Sequence, residues 1–140
     1  LALLPADAHA ALCGFAGESA YAQGAHLLAV GMFRRALEIG YDADVANLTA
    51  WIMATSVDPA ARDGAAALAL VDPLARRNPG DPMFASTLAA ACAELGRFDE
   101  AVQAAERALA LARQSGGDAR SESLLAQRLA TYRARRPWRQ

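Results

Sequence analysis

Apolar residues recur at spacings of three and four along almost the whole chain, interrupted at regular distances by glycine, proline and short polar turns. That period belongs to helices that bury one face. It predicts seven helical segments, over 6–23, 25–39, 42–56, 64–77, 81–95, 98–114 and 118–135. The interruptions are Gly24, Gly40, the Ser56-Val57-Asp58-Pro59 turn with Gly64, the Asn78-Pro79-Gly80-Asp81-Pro82 turn, Gly96, and Ser115-Gly116-Gly117. Each supplies a C-cap, an N-cap or a proline start where one helix ends and another begins. Connections this short force neighbouring helices antiparallel, so the segments pair into hairpins.

Composition points the same way. Alanine supplies 37 of the 140 residues, while β-branched and aromatic residues are scarce, which favours helix and excludes an all-β fold. Apolar residues at 54%, charged residues at 21% and a mean hydropathy of +0.10 describe a chain that buries a core. No uncharged apolar run approaches the roughly 18 residues that span a bilayer, and no apolar stretch follows a basic start, so neither a membrane segment nor a signal peptide is expected. The net charge of −1 conceals a gradient. Residues 1–112 carry seven Arg against thirteen Asp and Glu, while residues 113–140 carry seven Arg against Asp118 and Glu122.

Internal repetition is the strongest feature. From Ala85 the chain reads Leu88, Ala89, Cys92, Gly96, Arg97, Phe98, Asp99, Glu100 and Ala101, then Ala105 and Ala108. Gly17, Gly24, Ala29, Phe33, Ala36 and Tyr41 recur at the same offsets in an earlier copy. A third copy lies between them, with Asn47, Leu48 and Thr49 in its first helix and Ala67, Val71, Leu74 and Pro79 in its second. Aligning its halves requires an insertion at Val57–Gly64, and Asp72-Pro73 falls inside its second helix, where a kink or a restart is expected. The pattern resembles the tetratricopeptide repeat (TPR), with a small residue at repeat position 8, glycine at 15, alanine at 20 and 27, and an aromatic or small residue at 24. The inserted turn and the ending Leu129-Ala130-Thr131-Tyr132-Arg133 to Arg136-Pro137-Trp138 are similar to the C-terminal ends of bacterial TPR arrays.

The resemblance implies an all-α fold of antiparallel helix hairpins stacked as a right-handed superhelix, about three repeats plus a capping helix. Its expected divisions are one domain over 1–140, with 1–5 closing a preceding repeat, repeats at 6–41, 42–80 and 81–114, and the cap at 118–136. Leu1-Ala2-Leu3-Leu4-Pro5 reads as the close of an earlier repeat, and the chain reads as a fragment of a longer array.

Catalytic chemistry finds little support. The glycines lack the lysine and strand context of a phosphate loop, His9 and His26 lack ligand spacing with each other or with Cys13 and Cys92, and no elbow serine is present. No catalytic residue, cofactor or metal is expected, and the cysteines read as small apolar groups. Asp99 and Glu100 read as a first helical turn, and Phe33, Trp51, Leu88, Phe98 and Leu109 as packing between hairpins. Arg128, Arg133, Arg135, Arg136 and Arg139 with Trp138 suggest a nucleic-acid contact, but the solvated face and frayed end of a capping helix is the preferred reading.

By resemblance, the concave groove falls to repeat positions 2, 5, 9, 12 and 13, which are Glu18, Tyr21 and Ala22, then Ala46 and Met53, then Met83, Ser86 and Glu94. Few basic residues occur there, which disfavours gripping of an acidic tail and favours an apolar or extended peptide. The expected function is a non-catalytic scaffold that binds a protein or peptide, or other parts of its parent chain, with no small-molecule substrate. The alternative is an accessory array of a larger bacterial enzyme such as a glycosyltransferase. Cytoplasmic location is favoured over periplasmic, and self-association is left open. Charged residues at Tyr21 and Met53 together are expected to abolish partner capture and to leave helicity intact.

Overall fold

The computed structural model describes residues 4–140. Among them it contains seven α-helices and no strand: α1 (Ala6–Ala22), α2 (His26–Ile39), α3 (Ala43–Thr55), α4 (Gly64–Arg77), α5 (Pro82–Glu94), α6 (Phe98–Gln114) and α7 (Ala119–Arg133). Every helix lies within two residues of the segment that periodicity predicts. Helices α3, α4, α5 and α7 start at aspartates whose side chains accept backbone N–H bonds, Asp42 from Asp44 and Val45, Asp63 from Ala66, Asp81 from Met83, and Asp118 from Ser121. Each such cap is worth about 1 kcal/mol. Pro82, at the first helical position of α5, has no N–H to leave unsatisfied.

Helices α2 and α6 start without a side-chain cap, directly after tight turns. Gly24 and Gly96 occupy the left-handed region at φ 78° and 76°. Behind them the N–H of Ala25 donates to Ala20 O, and that of Arg97 to Cys92 O, both at 2.9 Å. The repeat seen in sequence is therefore also a repeat of turn geometry, in which the 6→1 bond closes the preceding helix. Gly116 and Gly117 close α6 in the same way, with Gly117 N–H donating to Ala112 O.

Consecutive helices pack against each other, and α5 also packs on α3. One core cluster joins α1 to α5 through Ala20, Ala29, Phe33, Ile52, Met53, Val71 and Ala91. A second joins α5, α6 and α7 through Ala89, Cys92, Ala105, Leu129 and Tyr132. Leu68 and Leu88 touch both clusters, so the apolar interior is continuous. Small residues let the backbones approach closely. A Cβ added at Gly17 would stand 2.6 Å from the Phe33 ring, which lies across the α1–α2 contact.

No restart occurs at Asp72-Pro73, because α4 continues from Gly64 to Arg77 with Pro73 exposed. The carbonyl that loses its N–H partner there belongs to Ala69, itself exposed, so solvent replaces the missing bond. The proposed closing turn at 1–5 lies mostly outside the described residues, and Pro5 stands extended ahead of α1.

Gly17→Ala is expected to destabilise the fold by about 1–3 kcal/mol through overpacking against Phe33. Gly14→Ala, in the same helix with nothing within 4 Å, is expected to stabilise it by up to about 1 kcal/mol. Paired thermal melts test the contrast. A second expectation concerns pH. Burial, aided by the charge of Glu100, pushes the Cys92 thiol from 9.0 up to about 11. Between those values the unfolded chain has lost the proton that the folded chain keeps, so stability falls, by about 3 kcal/mol in all. Urea midpoints from pH 8.5 to 11 should decline, and Cys92→Ala should remove that part of the slope.

Candidate functional site

The carboxyl end of α3 lacks a glycine cap and a basic last turn, so its final carbonyls need partners from elsewhere. The inserted turn supplies some. Asp63 N–H donates to Met53 O at 2.9 Å, and Arg62 Nη1 donates to Ser56 O at 2.9 Å. Ser56 is fully buried, its hydroxyl 2.6 Å from His26 Nδ1 and accepting from Asp58 N–H.

The remaining carbonyls are met from the far end of the chain. After α7, Arg135 adopts φ 55° and Arg136 N–H donates to Thr131 O, repeating the glycine turn with an arginine in its place. The segment that follows runs back to α3. Gln140 N–H donates to Thr55 O at 3.1 Å, and Gln140 Nε2 to Thr55 Oγ1 at 2.8 Å. Arg139 Nη1 lies 3.5 Å from Ala54 O, and Tyr21 Oη donates to Gln140 Oε1 at 2.6 Å. Burial raises the Tyr21 phenol above its ordinary value, and the bond to Gln140 opposes that shift.

Charge and ring contacts accompany these bonds. Arg139 Nη1 sits 2.7 Å from Glu94 Oε2, and Arg62 Nε sits 3.4 Å from Glu94 Oε1, so one half-buried carboxylate holds two guanidiniums. The Arg139 contact is ionic rather than an aligned hydrogen bond, since Glu94 Oε2 has no hydrogen-bond partner. Gly64 gives Glu94 room, because a Cβ there would press on Glu94 Cγ at 3.1 Å. The Arg128 guanidinium lies 4.4 Å from the Trp51 ring and 5.7 Å from that of Trp138, and its Nη1 donates to Ser86 Oγ at 3.1 Å. No carboxylate among the described residues pairs with it, and desolvation lowers its pKa. The two ring faces supply the compensating attraction.

The residues expected to line a groove thus fall into three groups. Tyr21, Ser86 and Glu94 share one face with the tail: Tyr21 and Glu94 contact it directly, and Ser86 is joined to it through Arg128. Glu18, Ala22 and Met83 stand exposed, whereas Ala46 and Met53 are buried. Met53 packs among Ala20, Val71 and Ala91, and Ala46 beside Leu74 and Phe84, so neither offers surface to a partner. The reason is local: α3 buries Ala46, Ala50, Ile52, Met53, Ala54 and Thr55, and toward its carboxyl end only Trp51 stays half-buried.

Residues that the sequence assigned elsewhere complete the site. Trp51 reads as core, Arg62 as part of an insertion and Arg139 as a frayed end, and Gln140 carries no sequence signal. The uncapped end of α3 was the available signal. The tail is also not a field of free cations, because Arg133 pairs with Glu106 at 3.0 Å, Arg135 with Asp99 at 3.3 Å, and Arg139 with Glu94. Among the described residues no group of His, Cys, Asp and Glu is arranged to hold a metal ion, and no helix is long and apolar enough to cross a membrane.

Tyr21 and Met53 therefore separate binding from folding. Met53→Lys buries an unpaired cation and is expected to cost more than about 3 kcal/mol, with loss of a cooperative melt. Tyr21→Phe removes one hydrogen bond at the rim and should stay within about 1 kcal/mol of the parent chain by circular dichroism.

No protein-family model matches this chain, and neither does any curated protein.

Proposed function

We propose that this chain is a non-catalytic protein-interaction scaffold of the TPR kind, with α1, α3 and α5 forming the inner wall of a right-handed superhelix that holds extended polypeptide. One observation carries the reading: the shared face of those helices receives a stretch of irregular chain through backbone, side-chain and ionic contacts at Thr55, Tyr21 and Glu94. The matching turns at Gly24 and Gly96 support the repeat that underlies it. A binding face needs convergent polar groups that fix an extended ligand beside apolar surface, and Trp51 with Arg128 supplies the latter.

An accessory array within a larger bacterial enzyme, such as a glycosyltransferase, is favoured by a different observation. Leu12, Phe15, Leu27 and Leu28 on the first helix pair are exposed, Phe15 at 72%. Leu12 also lines an open cleft of about 280 Å³ with His9, Cys13, Met32 and Ile39. Such a patch suits packing against further polypeptide.

Selection of a random peptide library on the full chain, with a Tyr21→Asp/Glu94→Lys variant as control, tests the scaffold reading. Peptides enriched by the parent and lost in a variant with native helicity are expected. Equal retention by both chains overturns the assignment of this face.

A further inference from the structure

Three consecutive residues after α7 dock back on the fold, Arg139 and Gln140 on the face of α1, α3 and α5 and Trp138 against the second core cluster beside Arg128 of α7. Trp138 packs beside Leu129 and Tyr132 and brings its ring toward Arg128, Arg139 meets Glu94, and Gln140 bonds Thr55 and Tyr21. The segment has no regular secondary structure, and Trp138 and Arg139 are only half-buried while Gln140 is exposed. Ordering such a segment opposes what its few polar contacts supply, and the two effects are of similar size. The attachment is therefore that of a ligand rather than of core.

Resting on the scaffold reading above, we propose that the shared face of α1, α3 and α5 is a site for extended polypeptide bearing tryptophan followed by arginine, and that residues 138–140 are its resident competitor in cis. The Glu94 carboxylate and the negative carboxyl end of α3 both favour a cation, and Thr55 O takes a main-chain donor. The Arg128 guanidinium between two rings leaves an aromatic slot when Trp138 departs. Tethering places the segment at about millimolar effective concentration, so a free peptide competes poorly until the cis segment is weakened.

The test is fluorescence anisotropy with a labelled, C-terminally amidated peptide of sequence Arg-Arg-Pro-Trp-Arg-Gln. It is titrated into the full chain, a Trp138→Ala/Arg139→Ala variant, and that variant carrying Glu94→Gln. The double variant is expected to bind at least about tenfold more tightly than the parent, with most of that gain lost when Glu94→Gln is added. A peptide with alanine in place of its tryptophan and of the arginine after it should not bind. Equal affinity for parent and double variant, or no binding by a double variant of native helicity, overturns the proposal. Should the double variant fail to fold, Arg139→Ala alone keeps the Trp138 packing and is expected to bind about threefold more tightly than the parent. A concentration-dependent dimer of the parent chain that disappears in the double variant would place the tail on a second copy and overturn the cis assignment. If library peptides bind parent and double variant equally, this inference fails while the scaffold reading stands. If neither chain retains any peptide, both fail.

Discussion

The carboxyl end of α3 exposes acceptors that its own helix cannot reach, and much of the remaining architecture answers that need. Ile52 O is met by Ser56 N–H, but Met53 O, Ala54 O, Thr55 O and Ser56 O take donors from Asp63, Arg139, Gln140 and Arg62. A glycine cap would have satisfied part of this set locally. Its absence ties an inserted turn and a segment 85 residues away to one helix end. Because buried acceptors without partners are expensive, these contacts specify where both segments lie even where each bond is modest.

Close packing of small residues provides the frame for that convergence. Alanines such as Ala29, Ala46, Ala67, Ala91 and Ala101 are fully buried, so neighbouring helices meet along their backbones with little side-chain bulk between them. Gly17 takes this furthest by lying under the Phe33 ring. The turns obey a common rule, and Arg135 shows its limit: an arginine takes the left-handed position that glycine holds at Gly24, Gly96 and Gly116. Left-handed backbone is unfavourable for a residue with a Cβ, so contacts beyond the turn must hold it. The Asp99 pair and the docking of residues 138–140 are the contacts available to do so.

The charge gradient becomes a set of internal pairs. Arg133 with Glu106 and Arg135 with Asp99 are exposed, where an ion pair contributes about 0–1 kcal/mol, so they orient the chain after α7 more than they stabilise it. Glu94 differs. It is largely shielded, Arg62 and Arg139 reach it from either side in the sequence, and loss of either cation alters a charge that water does not fully screen. The Arg128 cation is treated in another way again, held between Trp51 and Trp138 without a carboxylate.

Helix count, helix limits, caps and turns were legible in the sequence because each depends on residues a few positions apart. Asp42, Asp63, Asp81 and Asp118 cap where they stand, and Gly24 and Gly96 turn where they stand. Tyr21 and Glu94, which only the family resemblance grouped, meet the same segment of chain. Met53 and Ala46 could not be told from surface in that way, since α3 is apolar nearly all round and its period points to no single exposed side. Only the tertiary structure decided what meets the shared face. The partners of Tyr21, Thr55 and Glu94 lie in an irregular segment 119, 85 and 45 residues away, and no local period records a contact made at such a distance.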